Sequence, residues 1–577
     1  MATETLVSPG VQLQEVDKTF VNPGIDPSGM AVIGPTARGP LEIPTGINNY
    51  QEFKDIFGTV IRSGSQAYEL YTNLAVKNYF DNGGASALVV RVAPDASTFA
   101  AASSSLITSV SSSAEGTAGI TDNPFVITTL GQGEDLNSAT GNKGNFKWEI
   151  TNLNKSSGTF SLVIRRGDDS DSKPIILEQF TGLSLDPLSP NYVAKAIGDQ
   201  SQTVSTTDNV SSVSLAGEYP NKSKFVRISA VNSPTYQYLA PDGSVNTRSG
   251  DGLAYDLLLP QSGSGTFVGG VGDNFGSVAA TYGSASSATN IQGLAPGDYT
   301  KAISILTNKE EYKFKTLIAP GLDNNEHSST ITTIIENAET RGDYMAVVDL
   351  RGYGATVANV KTEAEELDTS FAAAYWPWVQ VRSAELGKNV WAPASTIIPG
   401  VYAKNDSIAA PWFAPAGLTR GGLNNVPKVE TKLSKTQRDD LYISKINPLA
   451  TFPGQGVVVF GQKTLQQANS ALDRVNVRRL LLDVKDVING FAENLVFEQN
   501  TAETRQRFLR KANPYLSNLV QRQGLYAYQV KMDGQLNSSD VIDQNKLVGQ
   551  VFLQPTKTAE FIALDFVLTP TGASFED

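Results

Sequence analysis

Lys463 and Thr464 follow two glycines five residues apart, Gly456 and Gly461. That is close to a phosphate loop, where backbone amides cradle phosphates and a lysine directly after the second glycine reaches them. Here Gln462 intervenes, and the glycines flank a short apolar run instead of following it, so nucleotide chemistry is not expected. His327 is the single histidine, in the polar run Asn324-Asn325-Glu326-His327-Ser328-Ser329. Multi-histidine metal sites are therefore excluded, and a Ser-His-Asp triad would have to use His327. Its setting reads as a surface residue at a helix start, just before Ser328 as N-cap. Asp168, Asp169 and Asp171 could offer carboxylates to calcium, but the loop pattern and its closing glutamate are missing. Asp349 and Arg351 fall at a predicted strand end, where parallel sheets place ligands. No nucleophile elbow, dinucleotide turn or paired histidine accompanies them, and a helix cap with a surface ion pair accounts for both. No catalytic, cofactor-binding or metal residue is expected, and no cofactor.

Composition narrows the classes further. The chain has 577 residues, 40% hydrophobic and 18% charged, which suits a folded protein of roughly four domains. No apolar run of about 18 residues exists, so no membrane span or insertion is expected. The start, Met1-Ala2-Thr3-Glu4-Thr5, lacks the apolar core of a signal peptide. With no cysteine there is no disulfide frame and no thiolate metal site, consistent with assembly in a reducing cytoplasm. The net charge of −12 argues against a nucleic-acid binder.

The elements that would position these residues can be read in order. Residues 11–16 form a strand whose apolar contacts are Val11, Leu13 and Val16. Such an isolated terminal strand needs a sheet to join. Residues 30–34 form an apolar strand and 49–57 a helix with Tyr50, Phe53 and Phe57 on one face. A second helix is predicted over 64–81, stopped by Gly83-Gly84, and a buried strand over 87–92. From Pro94 to about residue 300 the chain turns rich in Ser, Thr, Gly and Asn. Strands are predicted at 125–129, 146–152, 159–165, 175–180 and 224–231, with a short helix at 192–198. Residues 200–222 and 241–296 read as loops, and the four glycines within 263–270 argue for mobility. Regular alternation then returns: helix 301–306, strand 316–319, helix 328–340, strand 344–349, helix 356–367 and strand 374–381. That order predicts a parallel sheet shared with the strands of 30–92. Apolar turns around Trp391, Trp412 and Phe413 are expected to pin this layer to the last domain. There, helices are predicted at 434–443 and 477–491. A third opens at Asn500, with Glu503 completing a capping box, and ends before Pro514. Strands follow at 525–532, 547–553 and 559–568. The last alternates, with Ile562, Leu564, Phe566 and Leu568 on one face. A small sheet covered by helices on one side leaves open edges that invite an added strand.

The stretch 446–480 carries the more specific signal. It contains Ile446-Asn447-Pro448-Leu449, Phe452-Pro453-Gly454-Gln455-Gly456, Gly461-Gln462-Lys463-Thr464-Leu465 and Asn476-Val477-Arg478-Arg479-Leu480. It resembles the C-terminal half of contractile tail sheath proteins of bacteriophages, a family shared with contractile injection systems. Ala410-Pro411-Trp412-Phe413-Ala414-Pro415-Ala416-Gly417, Val496-Phe497-Glu498-Gln499-Asn500 and Ser8-Pro9-Gly10-Val11 match as well. The resemblance is weakest between about residues 94 and 300.

The resemblance implies a structural virion protein and not an enzyme. It would be a late protein assembled in the host cytoplasm, forming a helical homopolymer of stacked rings around the tail tube. Baseplate and tail terminator proteins would be its other partners. A metastable extended state would contract to drive the tube through the host envelope for genome ejection. The expected fold is α/β (α+β overall), in four parts. Residues 1–29 are an arm with an exchanged strand; 30–93 plus 301–429 are an α/β middle domain. Residues 94–300 are an inserted β-rich outer domain. Residues 430–577 are an inner domain whose small helix-packed sheet is completed by neighbouring subunits. Its tube-facing candidates are Lys435, Arg438, Arg478, Arg479, Lys485, Arg507, Arg510 and Lys511. Stretches 17–29 and 533–546 would be hinges. The alternatives are the sheath of a bacteriocin or secretion apparatus, or an α/β enzyme with an accessory β domain.

Overall fold

A strand apolar on both faces needs cover on both, and Met30, Ala31, Val32 and Ile33 are all buried. In the computed structural model this strand, Ser28–Gly34, lies between Ala87–Arg91 and Phe314–Asp323, parallel to both. The structure describes residues 28–63, 66–94, 99–110, 123–133, 136, 145–207, 210–250, 252–272, 292 and 294–560. The arm strand with Val11, Leu13 and Val16, most of hinge 17–29, and Ile562, Leu564, Phe566 and Leu568 lie outside the described residues.

Pairing of Met30 with Thr316 joins two segments far apart in sequence into one eight-stranded sheet. Its order is Thr45–Ile47, Ala87–Arg91, Ser28–Gly34, Phe314–Asp323, Met345–Asp349, Ala372–Trp376, Ile446–Phe452 and Gly456–Val459. The two outermost strands are antiparallel to their neighbours and the rest are parallel. Alternate residues serve opposite faces. Met30, Val32, Val89, Ile318 and Val347 pack under the helices Tyr50–Phe57, Tyr71–Asp81 and Ile398–Ile408. Ala31, Ile33, Val90, Leu317 and Val348 pack under Thr300–Ile305, Asn324–Arg341 and Val357–Glu365.

A second, antiparallel sheet has seven strands. They run Ile176–Ser184, Thr159–Arg166, Phe146–Asn154, Gly263–Val268, Ala101–Ser104, Phe125–Gln132 and Val226–Val231. Its central strand is the glycine-rich stretch expected to be mobile. The Trp148 ring lies so close that a Cβ on Gly265 would be 2.4 Å from it. The glycine makes room for an indole whose N–H donates to the Thr266 carbonyl at 3.2 Å. Residues 200–222, read as a loop, hold the hairpin Ser201–Thr207 and Val210–Ala216.

Other expectations are corrected. The helix predicted from residue 64 starts at Tyr71, because Gln66–Glu69 pairs with Val60–Ser63 as a hairpin. The strand predicted over 374–381 is split at Pro377. Ala372–Trp376 stays in the large sheet, whereas Val379–Arg382 joins a three-stranded sheet with Asn389–Ala392 and Lys428–Val429. The third C-terminal helix, Ala502–Gln521, is capped by Thr501 instead of Asn500 and runs through Pro514. Pro514 lies on an exposed face, where the carbonyl it leaves unpaired can meet water. The strands 446–459, grouped above with the last domain, form one margin of the eight-stranded sheet.

Candidate strand-docking site

The helices Val475–Glu493 and Ala502–Gln521 carry apolar stripes that meet around Leu480, Val484, Leu516 and Leu519. Onto this pair folds the antiparallel sheet of Leu525–Lys531 and Gln550–Pro555. A bulge between Leu525 and Ala527 shifts its alternation. Leu525, Tyr528, Val530, Val551 and Leu553 face the helices, and the Tyr528 hydroxyl donates to the Asn513 carbonyl at 3.0 Å. The opposite face is open: Tyr526 is 67% and Phe552 48% exposed. Lys531 extends over the Phe552 ring at 5.6 Å. Among the described residues, no third strand pairs with either edge. Among those residues each edge therefore keeps main-chain donors and acceptors without a strand partner, the arrangement that accepts an added strand.

The unit is pinned to the large sheet through Trp412. Its indole donates to the Arg522 carbonyl, and Asn476 Nδ2 donates to the Trp412 carbonyl at 3.1 Å. Trp391, expected to act similarly, packs on Tyr353 at 5.2 Å within the large unit.

The basic residues divide into two groups. Lys435, Lys485, Arg507, Arg510 and Lys511 are exposed. Arg478, expected to face the tube, is only 3% exposed. Its guanidinium stacks 4.0 Å over Phe371 and its Nε donates to the Ser370 carbonyl at 3.2 Å. Burial lowers its pKa to about 10. Arg479 pairs with Asp406 and lies over Tyr402, and Arg438 lies over the paired rings of Phe452 and Phe460. A helix wedged between two units has no wholly solvated face, which is why periodicity alone places Arg478 wrongly.

The residues that could do chemistry are structural where they stand. Asp349 is buried and accepts from the Ser395 N–H at 3.1 Å and from the Ser395 hydroxyl. Burial raises its pKa to about 7. Arg351 pairs with Glu363 at 2.7 Å. His327 is 5% exposed, not a surface residue. It interrupts the helix Asn324–Arg341 with non-helical dihedrals, and its Nδ1 accepts from the Asp323 N–H at 3.2 Å. Asp323, not Ser328, is the N-cap. Asp169 is held by Arg165 at 2.7 Å, and Arg165 also binds Asp171 at 3.1 Å. Among the described residues no acidic or histidine cluster could hold a metal, and no helix is long and apolar enough to cross a membrane. Gly461, Gln462 and Lys463 form no anion cradle, since Asn447 Oδ1 already accepts from the Lys463 N–H at 2.5 Å.

One cluster escapes the sequence reading. Glu560 accepts from Arg474 Nε at 2.7 Å and Nη2 at 2.9 Å, from Gln462 Nε2 at 3.0 Å and from the Tyr442 hydroxyl at 2.8 Å. In the sequence Gln462 is only the residue that spoils a phosphate loop, and no local pattern links it to a glutamate 98 positions later.

Comparison with known proteins follows this geometry. Residues 292–465 match the model of the phage tail sheath protein central domain, and residues 467–569 that of the phage tail sheath C-terminal domain. The tail sheath protein of Vibrio phage KVP40 is 39% identical over 190 residues, 33% of this chain and 28% of that protein. That of Salmonella phage ViI is 30% identical over 280 residues, 48% of this chain and 44% of the relative. The matches thus span less than half the length of these relatives. They are structural tail sheath proteins, not enzymes. A sheath tail protein from Listeria innocua has a similar fold, with a TM-score of 0.52 and 11% identity over 93% of this chain and 96% of that one.

Proposed function

We propose, from the match of residues 292–465 and 467–569 to the two phage tail sheath domain models, that this chain is the repeating subunit of a contractile tail sheath. Copies assemble helically around a tail tube in an extended, metastable form. Contraction swings the outer parts away and drives the tube through the host envelope, ejecting the genome. The subunit assembles in the host cytoplasm and meets baseplate, tube and tail terminator proteins.

The observation that carries this reading is the two-stranded sheet Leu525–Lys531 and Gln550–Pro555, covered on one face and unpaired at both edges among the described residues. The arm strand 11–16 of one copy and the strand 559–568 of another add to those edges. Val11, Leu13 and Val16, with Ile562, Leu564, Phe566 and Leu568, then replace solvent as cover. Each backbone hydrogen bond gained nets roughly 0.5–1.5 kcal/mol, so a six-residue strand contributes a few kcal/mol. Such contacts are head-to-tail and do not close, which is how a filament grows. Stretches 17–29 and 533–546 act as hinges while the mesh stays joined.

In this reading the arm is 1–29 and the middle layer is 30–93 plus 301–429, extended by strands 446–459. The β-rich insertion 94–300 lies outermost, and the inner, tube-facing part is 430–577 without strands 446–459. Lys435, Lys485, Arg507, Arg510 and Lys511 supply the screened, reversible contact with the tube. Deleting residues 1–20 is expected to leave a folded monomer that forms no polymer by electron microscopy; normal sheaths from that variant would refute the reading.

A further inference from the structure

The Glu560 cluster joins three separate elements. Tyr442 belongs to the helix Lys435–Ile443, Gln462 follows the strand Gly456–Val459, and Arg474 is the N-cap of the helix Val475–Glu493. Asp473 pairs with Arg474 at 2.8 Å and with Lys445 at 3.9 Å, and Lys463 lies 4.3 Å from the Tyr442 ring. Without Glu560, three cations (Lys445, Lys463 and Arg474) would face the single carboxylate of Asp473. Burial pushes the Glu560 carboxyl up, but its bonds from Arg474, Gln462 and Tyr442 outweigh that and hold it below the usual range. The side chain is 18% exposed. Gln462 Nε2 also donates to Thr558 Oγ1 at 2.6 Å, so the chain is fastened twice within three residues.

The placement matters because of what lies on either side. Among the described residues, 550–555 belong to a two-stranded sheet, which a pull along the chain could unzip one hydrogen bond at a time. Residues 559–568 are the segment read above as the exchanged strand, and Glu560 stands at its start. The cluster is rooted in the large unit.

We propose that Glu560 is the anchor of the exchanged C-terminal strand, passing load from residues 561–568 into the body through Arg474, Gln462 and Tyr442 and sparing the two-stranded sheet. The proposal rests on the strand-exchange reading. It is tested on the full-length chain with Glu560→Gln and Tyr442→Phe, beside a chain ending at residue 560. In the monomer, Glu560→Gln is expected to speed amide exchange of residues 556–560 at least about ten-fold, as loss of a charge-assisted pair predicts. Assembled Glu560→Gln sheaths should shed subunits at lower urea than wild type, with Tyr442→Phe intermediate. Unchanged exchange, or wild-type urea resistance of Glu560→Gln sheaths when the truncated chain cannot polymerise, overturns the anchor alone. Normal sheaths from the truncated chain overturn the strand-exchange reading and the anchor with it. Should Glu560→Gln fail to fold, Tyr442→Phe removes one hydrogen bond and no charge, and its exchange and urea results decide.

Discussion

The indole N–H of Trp412 donates to the main-chain carbonyl of Arg522 at 3.0 Å, across 110 positions of sequence. Arg522 returns the contact, its guanidinium lying 4.8 Å above the Trp412 ring. One side chain thus fastens the end of the helix Ala502–Gln521 to the connector leaving the large sheet. Trp412→Ala should cost about 3–5 kcal/mol, the range for truncating a buried aromatic. Trp412→Phe keeps much of the ring and loses the hydrogen bond, at about 1 kcal/mol plus the smaller ring's packing loss. Urea denaturation followed by circular dichroism checks the ranking; equal costs would show that the hydrogen bond and ring carry no specific load.

A second expectation concerns pH. Asp323 and Asp349 are register partners at the ends of adjacent parallel strands. Burial raises both, Asp323 to about 6 and Asp349 to about 7, from an ordinary 3.8. Asp349 faces Ser395 and Asp323; Asp323 also feels Glu326, Glu363 and Arg351. Between pH 4 and 7 the folded chain therefore holds protons that the unfolded chain has released. The stability this confers is fully present below about pH 4 and is lost as pH rises towards 7. Asp349→Asn should flatten that slope and be more stable than wild type at pH 8 by at least about 1 kcal/mol, with a smaller difference at pH 5. Thermal melts at the two pH values measure it, and a parallel offset at both would sink the assignment.

How much of this is legible in the sequence depends on whether the cause is local. The helix face of Tyr50, Phe53 and Phe57, and the buried run from Met30 to Ile33, follow from spacing alone. The strand Gly263–Val268 does not. Its glycines resemble a linker until Trp148, more than a hundred positions earlier, is seen to need the space. His327 reads as a surface residue at a helix start because its burial comes from tertiary packing and not from its neighbours in sequence. Arg478 fails for the same reason: its partners Phe371 and Ser370 belong to another unit. For the docking sheet, a strand over 525–532 is visible in advance, but its pairing with Gln550–Pro555 and its bulge between Leu525 and Ala527 emerge only in the structure.

The open face of that sheet gives a third expectation. Tyr526 and Phe552 are exposed, so removing their rings should change monomer stability by no more than about 0.5 kcal/mol. In an assembled sheath they would be covered by a neighbour. Tyr526→Ser with Phe552→Ser should therefore leave the melting curve in place and raise the concentration needed for polymerisation several-fold. Sedimentation of serial dilutions gives that concentration. Unchanged assembly would mean that this face stays bare in the polymer.

Arg478 and the exposed lysines make opposite predictions from similar chemistry. Arg478 stacks on Phe371 and satisfies the Ser370 carbonyl in a buried setting, so Arg478→Ala leaves that acceptor unpaired and opens a void. A loss of about 2–4 kcal/mol in unfolding free energy is expected, with or without a tube present. Lys485, Arg510 and Lys511 are exposed, and reversing all three to Glu should leave the monomer within about 1 kcal/mol of wild type. If they face the tube, the triple variant should form sheaths that fail to hold tubes at low salt. Wild-type sheaths should themselves lose grip as salt rises, because surface ion pairs are screened over about 8–10 Å at 0.1–0.15 M. Co-sedimentation of sheath with purified tube across a salt series separates the cases. Tube binding by the triple variant with wild-type salt dependence would remove these residues from the contact and leave Lys435 and Arg507 to be tried next.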